Sequence, residues 1–336
     1  MANIAGGLGN QLFCYAATKA IAQDLGYDYR YRVCPLPQTS VVNPTCNHEG
    51  TYIDRLGQEY NPHFERVFHI DTAERVEEIP EPVSCEWTWH RSTESNFDAG
   101  VYDILDNTHL KGHYMHPAYF EHRRSVVLQW LKFNPIYLKK AQETIVRLCF
   151  QTGADHLVSM HIRGGLGYRL ARQILDPDYH RCAMDLIHAT FKQQKLLFIL
   201  FSDVPRKALR ELKGKHRIYH HAGTMFEDLC LMTLCDSHIV ANSTFSWWGA
   251  WLAKHKNGIV IRPSIWPASD PGKNAPTDMF PDEWVPLSAR RERLTFRGSL
   301  QRLQDEYSPF RDPCVEYPRW FDRYVRKPLK ELRQSI

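Results

Sequence analysis

What this sequence lacks narrows its function first. No stretch approaches the 18 or more apolar residues of a membrane-spanning helix. The longest notable run, Leu196–Phe201, has six residues, which is strand length. Residues 1–7 carry no basic region and no long apolar core, so a secretory signal is not expected. The nine cysteines include no CxxC pair. That pattern fits reduced thiols in a cytoplasmic protein better than a disulfide framework or a zinc site. No internal repeat is visible, and the 18 Gly and 20 Pro are dispersed over 336 residues. Collagen-like, fibrous and wholly disordered chains are therefore excluded. Charge of one sign is scarce as well. The net charge is only +4 and it sits at the end, where 12 Lys/Arg face 7 Asp/Glu from Arg290 onward. A near-neutral body offers no broad basic surface for nucleic acid. The basic tail reads as a solvated helical face, with peripheral membrane contact as its minor reading.

What is present is clearest in the second half. Leu157–Ile162 is a short apolar run ending in a glycine turn, and Asp178–Lys192 has helical spacing. Leu196–Phe201 is continuously apolar, as a buried parallel strand should be. Strand–helix alternation then continues through Arg217–His220, Phe226–Leu234, His238–Ala241, Phe245–His255 and Gly258–Arg262. This predicts a parallel sheet with helices on both faces, a Rossmann-like domain over 151–290. The first half, 1–150, opens with a strand stub, a glycine turn and a helix with Leu12, Tyr15, Ala16, Ala20 and Ile21 at amphipathic spacing. Residues 35–63 read as loop, and 291–336 as a basic helical tail.

Ligands of such sheets bind at the carboxyl ends of strands, so the loops there are the candidate sites. Strand alternation puts His161 and Arg163 on one face at the end of their strand. Arginine suits a diphosphate, because it is always charged and bonds two oxygens at once; the bland alternative is a structural salt bridge and a satisfied core histidine. Asp203, after the next strand, either caps the following helix or accepts from a purine edge. Ser243, Thr244, Phe245 and Ser246 open a helix after a buried strand, an arrangement suited to an anion. Trp247, Trp248 and Trp251 fall at helical spacing and read as core. Near the start, Gly6, Gly7 and Gly9 allow a ligand close to the backbone, with the amide of Asn10 beside them; a plain tight turn is the bland reading there. Asp176-Pro177-Asp178 imitates a metal motif, but its place at a helix start favours capping. No metal ligand set is expected.

In combination and in this order, GGLGNQLFCYAATKAIA, GHYMHPAYF (Gly112–Phe120), SMHIRGG, LFSD and EDLCLMTLCDSHIVANSTFSWWGAWLA (Glu227–Ala253) resemble the α-1,2-fucosyltransferases of glycosyltransferase family 11. The resemblance implies a GT-B-like α/β architecture, with two Rossmann-like domains facing a central cleft. It also implies inverting, metal-independent transfer of L-fucose from GDP-fucose to a galactoside hydroxyl in α-1,2 linkage, with no cofactor. Arg163 would hold the β-phosphate and stabilise the departing GDP. His161 and Asp203 would contact the guanosine. Ser243, Thr244, Phe245 and Ser246 would surround the diphosphate and fucose, with Gly7 and Gly9 also on the donor. Asn10 would face the sugar and the acceptor hydroxyl. The partners implied are a nucleotide sugar and an oligosaccharide or glycan acceptor, in a soluble enzyme of bacterial or viral type. One departure stands out: the family pattern HxRRGD reads HIRGGL here, with Gly164 in place of the second arginine and Leu166 in place of the acid. Asp176, Asp178 and Glu227 are the nearest substitute carboxylates. A different nucleotide sugar, or an inactive glycan- or nucleotide-binding protein, are the alternatives this change leaves open.

Overall fold

The computed structural model describes residues 1–4, 6–33, 52–53, 59–60, 64–76, 89–91, 97–164, 174–254, 257–264, 266 and 279–288. The expected tail, Gly165 and Leu166 lie outside the described residues. The chain divides into two compact units. The first is residues 1–139 with Thr224–Phe226; the second is 140–223 with the residues from Glu227 onward. The partition falls inside a helix.

The first unit is built on a four-stranded parallel sheet. Its elements are β1 (Ala2–Ile4), α1 (Leu8–Leu25), β2 (Tyr31–Val33), a short antiparallel pair β3 (Tyr52–Ile53) and β4 (Glu59–Tyr60), α2 (Phe64–Val67), β5 (Trp89–Arg91), β6 (His109–Lys111) and α3 (Arg124–Trp130). The sheet order is β2–β1–β6–β5. The β3–β4 pair lies in the stretch read from sequence as loop. Nor is α1 amphipathic: Gln11–Ala22 are buried without a break, on every face of the helix. Small residues at 16, 17, 20 and 22 let neighbouring elements close around it, and Gly26 ends it in the left-handed conformation at φ 72°. Tyr15 sits among Tyr29, Tyr31, Phe64 and Trp130, with ring centroids 4.8–6.4 Å away. Inside this aromatic shell the Lys19 ammonium donates to both oxygens of Glu74, at 2.7 and 2.6 Å, and to the Tyr15 hydroxyl at 3.1 Å.

The second unit carries α4 (Pro135–Thr152, whose first residues belong to the first unit), β7 (His156–Ile162), α5 (Pro177–Thr190), β8 (Leu196–Ser202), α6 (Pro205–Glu211), β9 (Ile218–His220), α7 (Met225–Thr233), β10 (Ser237–Ile239), α8 (Thr244–Trp251), β11 (Val260–Pro263) and β12 (Val285–Leu287). Its six strands are all parallel, in the order β12–β11–β10–β7–β8–β9. Read from the other edge, this is the doubly wound order 3-2-1-4-5-6. Right-handed crossovers then place α5 and α6 on one face and α8 on the other. Every residue of β7 is buried, and the core between sheet and helices includes Val158, Met160, Leu186, Ile187, Phe198, Leu200 and Ile261. The alternation read from sequence is therefore present element for element; β12 was not foreseen, because Val285–Leu287 is short and follows no clear helical pattern. Two α/β units, each on a parallel sheet, give the chain its GT-B-like class.

Candidate functional site

A doubly wound sheet has one place where the connections leave in opposite directions, and ligands bind in the crevice at the strand ends there. In the second unit this switch point lies between β7 and β10. Arg163 stands just beyond β7; Asn242 and Ser243 lie between β10 and α8, and Thr244, Phe245 and Ser246 form the first turn of α8. His161 and Phe245 meet across the two elements with ring centroids 5.7 Å apart. His161 is buried and Phe245 is half-buried.

Arg163 is held from β8. Its guanidinium lies 3.1 Å from Asp203 Oδ2, while the Gly164 N–H donates to Asp203 Oδ1 at 2.8 Å. The carboxylate thus latches the ends of β7 and β8 together. This corrects the capping expectation for Asp203. Val204 is the residue at the start of α6 and no side chain caps that helix; the Val204 N–H instead donates to Ser202 Oγ at 3.0 Å. Val204 also explains Gly164. A methyl group at position 164 would stand 2.5 Å from Val204 Cγ2, closer than any real contact. Below them, His180 Nε2 lies 3.2 Å from the His161 carbonyl oxygen. Burial pushes the His180 pKa down to about 4, against the raising effect of its backbone hydrogen bonds.

The turn after β10 is tied from within. The Ala241 N–H donates to Ser246 Oγ at 3.2 Å, and Ser246 Oγ donates to the Ser243 carbonyl at 3.2 Å. Ser246 therefore shapes the turn with its hydroxyl. Ser243 stands at the N-terminus of α8 without capping it through its side chain. Thr244 and Phe245 are the half-exposed members of the group. The tryptophans are core, as their spacing predicts. Trp247, Trp248 and Trp251 are fully buried, and Trp247 Nε1 donates to the Met279 carbonyl at 2.9 Å.

Two other sequence expectations resolve the same way. Asp176 caps α5 by accepting from the Asp178 N–H, and Asp178 pairs with Arg181. Glu227 pairs with Lys140 at 2.8 Å. The three substitute carboxylates are thus each engaged. Among the described residues, no group of three or more His, Cys, Asp and Glu is placed to hold a metal, and no helix is long and apolar enough to cross a membrane. Sequence reasoning missed an open groove of about 820 Å³ beyond β9, lined by Lys140, Arg147, His221 and Glu227 among others. It also missed the pair His221–Asp228, 2.7 Å apart. Only the position of His221 directly after β9 signals either.

In the first unit, Gly6 and Gly7 follow β1, next to the segment after β6. Gly6 adopts φ 83°, a conformation glycine favours. Gly7 starts α1, and a methyl there would touch nothing within 4 Å. Gly9 is buried in the first turn of α1. Gln11 is a bracket: its Nε2 donates to the Gly6 carbonyl and its Oε1 accepts from the Phe64 N–H, both at 3.0 Å. Asn10 and His113 come together at Gly6. A Cβ on that glycine would lie 3.1 Å from Asn10 Nδ2 and 3.2 Å from His113 Nε2. His113 was not singled out from sequence.

The family model described as Glycosyl transferase family 11 matches residues 85–288. The chain is similar to the O-antigen biosynthesis glycosyltransferase WbnK of Escherichia coli, with 25% identity covering 84% of this chain and 99% of WbnK. It is 26% identical to an alpha-1,2-colitosyltransferase of E. coli, over 85% of this chain and 97% of that one. It is 23% identical to a galactoside 2-alpha-L-fucosyltransferase of Caenorhabditis elegans, over 84% and 74%. Among solved structures, the fucosyltransferase NodZ from Bradyrhizobium aligns with a TM-score of 0.45 and 14% identity over 82% of this chain and 98% of NodZ. The family match spans the switch point and most of the sheet that forms it, and on that ground the chain belongs to glycosyltransferase family 11.

Proposed function

We propose that this glycosyltransferase moves L-fucose from GDP-fucose to a galactoside hydroxyl, with inversion and in α-1,2 linkage. The observation that carries the reading is Arg163. It is a partly exposed guanidinium at a topological switch point, anchored by Asp203 on one side, beside the half-exposed Thr244 and Phe245. An arginine has five N–H donors, so the bond to Asp203 is compatible with contact to a diphosphate. The guanidinium neutralises charge that grows on the leaving GDP as the sugar–phosphate bond breaks. His161 and Phe245 would line the nucleoside side, Ser243 and Thr244 the diphosphate, and Ser246 the shape of that turn. Gly7 and Gly9 would serve the donor, and Asn10 the acceptor hydroxyl. No metal is needed in this scheme, because Arg163 supplies the positive charge.

Replacement of Arg163 by Ala is expected to lower turnover at least ~100-fold, by analogy with loss of one transition-state donor. Calorimetric titration without metal is expected to show binding of GDP and GDP-fucose and none of UDP. Full turnover in the Arg163 variant would overturn the site. Activity abolished by EDTA would overturn metal independence. The colitosyltransferase relative favours a second reading, transfer of a different sugar from its nucleotide. GDP binding with no turnover of GDP-fucose would bring that reading forward.

A further inference from the structure

We propose that the last turns of α4, with the loops entering β7, β8 and β9, dock reversibly on a lipid surface with anionic headgroups. The proposal lies within the second unit and is independent of the donor and acceptor. Phe150 is 91% exposed, and Val146, one turn before it on the same face of α4, is 69% exposed. A single apolar side chain in water is ordinary. Here two stand together, with cations beside them. Arg217 Nη1 donates to the Thr152 carbonyl at 2.6 Å, which fixes a guanidinium at the end of α4. Lys195 Nζ is 4.0 Å from the point a Cβ on Gly153 would occupy. The Lys195 N–H donates to Asp155 Oδ1 at 2.7 Å, so the loop before β8 is tied to the chain that leaves the helix.

One sign of charge prevails around this turn. The loops entering β7, β8 and β9 (residues 153–155, 191–195 and 212–217) carry Lys192, Lys195, Lys213, Lys215 and Arg217 against a single acid, Asp155. All six are exposed. Two acids come from neighbouring elements. Asp185 of α5 pairs with Lys215 at 3.0 Å and with His216 at 2.8 Å, and Asp236 accepts from the Leu157 N–H at 2.8 Å. The cations still outnumber the acids.

The charge selects the occupant. A second copy meeting this face with its own would bring cation to cation. Residues 290–336 carry the same sign, with 12 Lys/Arg against 7 Asp/Glu. An anionic bilayer removes both conflicts. Lysine and arginine lay their stems along apolar surface and keep their heads at the phosphates, while an aromatic ring enters the headgroup boundary. Neighbouring basic and apolar groups are the two contributions that interfacial binding combines. The placement in the sheet agrees. The patch sits at the amino ends of β7, β8 and β9, whereas Arg163 and the switch point lie at the carboxyl ends. A membrane met at the amino ends leaves the candidate donor loops of this unit uncovered.

The test is co-sedimentation of the full chain with vesicles of phosphatidylcholine and phosphatidylglycerol, against vesicles of phosphatidylcholine alone. The chain is expected to bind the anionic vesicles, less so as salt rises, and to bind the neutral ones at least ~10-fold more weakly. Phe150→Ser is expected to weaken binding to anionic vesicles at least ~10-fold, through loss of the buried ring. The charge reversal Lys192→Glu/Lys195→Glu is expected to weaken it at least ~10-fold as well. Both variants should melt like the unaltered chain, because exposed side chains hold little of the fold. Absence of binding to anionic vesicles would overturn the proposal. So would undiminished binding of Phe150→Ser, which would assign the contact to another part of the chain. A concentration-dependent rise in mass in solution, abolished by Phe150→Ser, would give the patch to a second copy and overturn it too.

Discussion

The buried pair Lys19–Glu74 gives the sharpest test of how the first unit is held together. Lys19 has 8% of its side chain exposed and Glu74 has 20%. The ammonium lies 5.0–5.8 Å above the rings of Trp130, Tyr15 and Tyr29. Changing Glu74 to Gln removes the charge partner and leaves a cation inside an aromatic shell. Breaking a buried pair from one side costs about 3–5 kcal/mol, and the partly exposed glutamate places this case near the lower end, about 3 kcal/mol. The reverse change, Lys19→Met, leaves a carboxylate at the rim where water reaches it, and is expected to cost about half as much. The double variant Lys19→Met/Glu74→Leu puts apolar groups of similar volume in the shell and is expected to recover most of the loss. Thermal unfolding reads this directly. At about 2–4 °C per kcal/mol for a unit the size of the first, its melting in Glu74→Gln should fall roughly 6–12 °C. If Lys19→Met costs as much as Glu74→Gln, or if the two losses simply add in the double variant, the buried charge is not the source of the coupling.

Two further perturbations probe the second unit. His180 titrates near 4 in the folded chain and near 6.5 when unfolded. The unfolded state therefore binds the proton first, and stability falls as pH drops from about 6.5 to about 4, by up to about 3 kcal/mol. Urea midpoints across that range should drop less in His180→Gln than in the unaltered chain; equal slopes would assign the acid loss elsewhere. Gly164→Ala forces a methyl against Val204 and is expected to cost about 1–3 kcal/mol and weaken GDP binding. Pairing it with Val204→Ala should restore both, and a harmless single change would show that the β7 and β8 ends yield easily.

Much of the second unit was legible because buried parallel strands write themselves as apolar runs. Leu196–Ser202 is such a run, and the turns and helix starts beside it carry Asp, Pro, Ser and Thr. The first unit was less legible. Apart from the paired Lys19, residues 16–22 of α1 are small or apolar on all sides, so a pattern that looks amphipathic at Leu12, Tyr15 and Ile21 marks a helix buried all round. Site chemistry followed the same divide. The places of Arg163 just beyond β7 and of Thr244 at the start of α8 were readable because both follow buried strands. The engagement of Asp203 with Gly164 was not, since nothing local distinguishes a carboxylate that caps a helix from one that spans two strands. His113 was hidden for a related reason: its neighbourhood with Asn10 arises from β1 and β6 lying side by side, residues a hundred positions apart in the chain.

The tryptophan cluster has a consequence for observation. Trp247, Trp248, Trp251 and Trp284 are all buried, and the rings of Trp247 lie 5.1–6.0 Å from those of the other three. Three of them stand on the short helix that begins at Thr244, within one to two turns of the candidate donor turn. Their fixed, asymmetric stacking makes that helix an internal optical probe. A near-ultraviolet circular dichroism band from these indoles reports whether the helix is seated, separately from backbone content. The same residues that pack the sheet therefore give every variant of the candidate site its own control for intact packing, without any label.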